Sequence, residues 1–188
     1  MDMMDDSEKL TRLRQLLRRH ANGVAAESMA RQGLNYKENW GVSVMTLRDI
    51  ARQFAPDHDF ARYLYLLPQR ELRLVASMIA DPRQVSADQL GFWGGGVDNV
   101  EVAENLAFYL LSETQLIEPL VEQWLVPTAP LLLRYCALLT LGRMAKLQKS
   151  GVRKQQILTI LSDVDCEGSV LLASALDNIL LRLNPADD

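Results

Sequence analysis

Two cysteines and two histidines are all that this chain of 188 residues offers to a soft metal or a disulfide. Cys136, Cys166, His20 and His58 stand at no spacing that resembles a zinc or redox motif, so no metal is expected. Cys136 falls inside the apolar run LLLRYCALLTL, the setting of a buried structural thiol rather than a reactive one. Long hydrophobic runs are missing too: stretches such as residues 129–133 fall far short of the ~20 apolar residues of a membrane helix. The acidic start MDMMDDSE is unlike a signal peptide, and a cytoplasmic protein with no membrane partner is the expectation. No window alternates β-branched and polar residues as a strand would. The triple glycine at 94–96 is followed by no GKS or GxGxxG spacing, which argues against a nucleotide-cradling turn, and no cofactor is expected.

Positive charge is absent from one long region. The net charge is −4, the wrong sign for a simple nucleic-acid binder, but its distribution is uneven. Between Gln84 and Leu133 there is no Lys or Arg, while Asp88, Asp98, Glu101, Glu104, Glu113, Glu118 and Glu122 are all acidic. From Arg134 to Lys154 the bias reverses, with Arg134, Arg143, Lys146, Lys149, Arg153 and Lys154 and no acid among them. A continuous basic track through the acidic region is excluded. A DNA contact on the basic cluster is not, since phosphate contacts supply much of the affinity of DNA-binding proteins.

What the chain does have is helical periodicity. Its length fits one domain over residues 1–188 with a substantial core. Ser7 is placed to cap a helix through KLTRLRQLLRRH, with Leu10, Leu13, Leu16 and Leu17 on one side and Arg12, Arg14, Arg18 and Arg19 on the other. That basic face reads as a solvated surface, with phosphate contact the alternative. Asn22-Gly23 ends it, and a second helix runs from about residue 24 to 32. A further helix begins near Val44. Asp57 caps the next, and Pro68 precedes one that stops at Asp81-Pro82. Helices are expected over 98–112, 115–125, 130–148, 153–162 and 167–183. Gly142 interrupts one of them at about 1 kcal/mol relative to alanine, a cost accepted where two helices approach closely. The fold class is all-α, an α-solenoid of irregular helix pairs.

The stretch WGGGVDNVEVAE, residues 93–104, fits the pattern W-x-x-x-(V/I)-D-N-x-x-x-x-(acid) through Trp93, Val97, Asp98, Asn99 and Glu104. It resembles the central motif of the AlkD-like DNA alkylation repair proteins, DNA glycosylases built from HEAT-like helix pairs. The segment Gly41-Val42 with Arg48 resembles the family's GV-x-x-P-x-x-R entry, with Met45 at the proline position. The resemblance implies a right-handed superhelix of HEAT-like pairs, no cofactor, and double-stranded DNA as partner.

It also implies a site. In that family a tryptophan follows Asp-Asn and an aspartate four residues later is the catalytic carboxylate; here Val100 and Glu104 stand at those positions, four apart and so on one helix face. Excision of an alkylated purine leaves positive charge on the sugar, which a carboxylate stabilises. Glu104 is therefore the catalytic candidate. Asp98 is a second, although Asp98 or Asn99 is better explained as a helix cap. Trp93, Val100 and Leu176 are candidates for the pocket wall, the last near another tryptophan position of the family. Trp93 equally suits a core position. Arg134 stands where the family has a backbone-contacting arginine, and it suits neutralisation of Glu104 or Glu101 as well. Arg143, Lys146 and Lys149 complete the expected DNA contact. With glutamate for aspartate and valine for tryptophan, the expected function is a relative of 3-methyladenine and 7-methylguanine DNA glycosylases with weak or lost excision. A non-catalytic scaffold that binds a protein or an altered nucleic-acid structure is the alternative.

Overall fold

The computed structural model describes residues 5–54, 56–148, 151–166 and 168–183, which fall into two units, residues 1–84 and 85–188. Among the described residues the structure is helical, apart from one isolated bridge between Glu38 and Gln69.

The first unit contains α1 (Asp6–Arg18), α2 (Gly23–Arg31), α3 (Val44–Ala51), α4 (His58–Tyr65) and α5 (Arg70–Ile79). Helix α1 starts earlier than the sequence suggests, because Asp5 and Glu8 form a reciprocal capping box and Ser7 lies inside the helix. Asn22, expected to end the first helix, caps the second by accepting from Ala25 N. Asp57 caps α4 as expected. Helix α5 is the centre of the unit: eight of its ten residues are buried, Arg70 and Glu71 among them. Arg70 Nη1 donates to Val42 O at 2.8 Å and to Glu71 Oε1 at 3.2 Å, and that oxygen also accepts from Trp40 N and Val42 N. Two buried charges are tolerable only when paired and hydrogen-bonded, and these fasten residues 40–42 to α5. Gly41 completes the fastening. Its φ is +69°, and a Cβ there would lie 2.1 Å from Asn22 O, so no other residue fits.

The basic face of α1 is not merely solvated. Lys9 lies over the Phe60 ring at 5.4 Å, Arg12 over Phe54 at 5.8 Å and Arg18 over Trp40 at 5.5 Å, and Lys9 also pairs with Asp57 at 2.6 Å.

A 3-10 turn at 82–84 ends the first unit; the second contains α6 (Leu90–Gly95), α7 (Val100–Tyr109), α8 (Ile117–Trp124), α9 (Leu131–Leu147), α10 (Val152–Ser162) and α11 (Val170–Leu183), with 3-10 turns at 87–89 and 111–113. Helix α9 is apolar nearly all round and packs against α7, α8, α10 and α11, the expected place for such a helix. Its contacts are close. Cys136 Sγ donates to Ala103 O at 3.3 Å, and burial pushes its thiol pKa up to about 12, so it is structural. Across α11, a Cβ on Gly142 would meet Ile179 at 2.7 Å, the close approach anticipated from the sequence.

Gly94 and Gly95 close the short helix α6, and the Trp124 ring fills the space where a Cβ on Gly94 would sit.

Candidate functional site: a cationic groove on three helices

Helices α7, α9 and α11 each present one row of side chains, spaced three or four apart, to a common groove of about 430 Å³. From α7 come Glu104 and Phe108; from α9, Tyr135, Leu139, Gly142, Arg143 and Lys146; from α11, Ala175, Asn178, Ile179, Arg182 and Leu183. Gly142 and Ala175 keep the floor low, and the charged groups stand at the rim.

The geometry is set by two contacts. Tyr135 Oη donates to Glu104 Oε1 at 2.8 Å, bridging α9 to α7. Burial, with the neighbouring Glu104 carboxylate, raises the Tyr135 pKa well above the ordinary phenol, so Tyr135 remains a donor. Glu104 is itself exposed, which leaves its second oxygen accessible. The Arg143 guanidinium sits 5.0 Å over the Phe108 ring, and Arg143 Nε has no hydrogen-bond partner. Among the described residues neither Arg143, Lys146 nor Arg182 forms an ion pair with a carboxylate.

The groove brings together Glu104, Arg143 and Lys146 of the residues expected from the sequence. Others lie elsewhere. Arg134 faces a separate cleft of about 320 Å³ lined by Leu125, Pro127 and Ile160, and its guanidinium donates to the Asp165 carbonyl, so it neutralises neither Glu104 nor Glu101. Trp93 is fully buried, and neither it nor Leu176 lines the groove. Val100 is exposed one turn before Glu104. Of the two candidate caps it is Asn99 that accepts from Val102 N at 3.0 Å, while Asp98 accepts from the Asn99 amide. Lys149 lies outside the described residues. Phe108, Tyr135, Asn178 and Arg182 were not anticipated. The rows Glu104–Phe108 and Asn178–Arg182, at i and i+4, are readable signals once one member of each is placed. Among the described residues no cluster of His, Cys, Asp or Glu is arranged to hold a metal ion, and no helix is long and apolar enough to cross a membrane.

Among the described residues helix follows helix with no sheet, which defines an all-α protein. The chain superposes with a TM-score of 0.77 on a solved structure described as "a new family of proteins related to the HEAT-like repeat DNA glycosylases with affinity for branched DNA structures", at 19% identity over 94% of this chain and 74% of that one. The family model for the DNA alkylation repair enzyme matches residues 13–163, and the chain belongs to that family. No curated protein matches it in sequence.

Proposed function

We propose that the chain acts in the cytoplasm as a single HEAT-like repeat domain that binds double-stranded DNA carrying a branch or other distortion, with excision of alkylated purines slow or lost. The observation that carries the reading is the composition of the groove, which Arg143, Lys146 and Arg182 line together with a carboxylate at the position that corresponds to the family's catalytic one. Cations without carboxylate partners suit phosphate, and the fold is shared with a protein described as having affinity for branched DNA. The weak chemistry follows from three features of Glu104. Its side chain is longer than aspartate by about 1.5 Å, one C–C bond, and misplacement on that scale costs on the order of a hundredfold in rate. Tyr135 holds one of its oxygens. Val100 supplies no π face for a cationic base.

Fluorescence anisotropy with a four-way junction and a linear duplex of matched sequence, over a range of salt, tests the binding. The junction is expected to bind more tightly, and Arg143→Glu with Lys146→Glu should weaken it at least about tenfold and flatten the salt dependence by roughly two phosphates. Equal affinity for both DNAs, unmoved by the charge reversals, contradicts the reading.

A further inference from the structure

The residues of the second unit are acidic overall, with 7 Lys and Arg against 13 Asp and Glu over 85–188. Yet three of those seven cations line one groove, whereas among the described residues Glu104 is the one acid that lines it. Such a concentration of positive charge against the local background selects an anionic occupant. The groove also offers an aromatic surface, for Phe108 is 41% exposed and lines it. A volume of about 430 Å³ lies within the range of sites that hold a small ligand.

Paired bases within a helix are stacked on their neighbours and present only their edges. An unpaired nucleotide, by contrast, offers the face of its base together with its phosphate. Building on the reading of this protein as a binder of branched DNA, we propose that the α7–α9–α11 groove seats one unpaired nucleotide at the branch, its base on the face of Phe108 opposite the Arg143 guanidinium and its phosphate among Arg143, Lys146 and Arg182. Glu104 gives the seat a chemical preference. Tyr135 occupies Oε1, and Oε2 is left to accept from the exocyclic amine of adenine, cytosine or guanine, a group that thymine lacks.

The test compares two three-way junctions that differ at a single unpaired position at the branch, one carrying an adenine there and the other an abasic residue. Wild type is expected to bind the adenine junction about tenfold more tightly, the scale of one base–aromatic stack. Phe108→Leu, which retains an apolar side chain of similar bulk and drops the π face, should abolish that difference; circular dichroism verifies that the variant is folded. An unpaired thymine should fall between the two junctions, and Glu104→Gln should bring adenine down toward thymine. Equal wild-type affinity for the adenine and abasic junctions overturns the nucleotide seat and leaves the DNA-binding reading standing. A Phe108→Leu variant that weakens both junctions by the same factor overturns it as well. If wild type binds neither junction, both the seat and the broader reading fall.

Discussion

Arg70 and Arg143 are the same residue type put to opposite uses in the two units. Arg70 is fully buried, with a carboxylate beside it and the Val42 carbonyl in front, and it locks residues 40–42 onto α5. Arg143 is half-buried over Phe108, with no ion-pair partner and Nε unsatisfied among the described residues. The contrast extends through the units. In the first, Lys9 pairs with Asp57, and Arg83 donates to both oxygens of Asp81. In the second, Arg143, Lys146 and Arg182 converge on a groove. A cation engaged by its own fold contributes stability; one held without a counter-charge is available to a ligand. Net charge along the sequence cannot separate the two, since the first unit, with 13 Lys and Arg against 11 Asp and Glu, has the more basic composition over residues 1–84.

That contrast can be broken in three graded ways. The largest effect is expected from Glu71→Ala, which leaves the Arg70 guanidinium buried without its carboxylate; a loss of about 3–5 kcal/mol in chemical denaturation is predicted. A loss below about 1 kcal/mol would mean that the pair behaves like a surface one. Gly142→Ala should cost about 1–3 kcal/mol, because the added methyl group must displace Ile179 and push α11 from α9. It should also weaken DNA binding, since the same two helices form the groove; normal affinity with lowered stability would separate the groove from that packing. The smallest effect belongs to Lys146→Ala, predicted to change stability by no more than about 0.5 kcal/mol while lowering affinity for DNA. A larger loss of stability would show that Lys146 is engaged by the fold after all.

Much of the fold was legible because it is local. The cap at Asp57, a cap at the Asp98-Asn99 pair, and the extents of α8, α9 and α10 follow from side-chain chemistry within a few residues of each position. What was not legible is of two kinds. At the first helix, Ser7 offers a cap, but the Asp5–Glu8 box two residues earlier satisfies both ends of the turn. At Gly94 the constraint is distant, since the Trp124 ring, 30 residues away in sequence, fills the space where a Cβ would sit. The second kind also governs the site. Glu104 could be found from a motif and Arg143 and Lys146 from a charge run, but Tyr135 reaches Glu104 from 31 residues away, and Arg182 joins them from a third helix. Arg134 shows the converse: a residue that alignment to a motif favours is turned to another cleft, onto the Asp165 carbonyl.

The central claim is that the Glu104 groove binds DNA without appreciable excision, and the most direct measurement is release of 3-methyladenine and 7-methylguanine from one lesion-bearing duplex by equal amounts of folded wild type and Glu104→Gln. The account predicts little release by wild type and no further fall in Glu104→Gln, with DNA binding preserved in both. Robust release by wild type that collapses in Glu104→Gln, an amide that keeps the shape and drops the charge, would contradict it and make Glu104 the catalytic carboxylate of an active glycosylase.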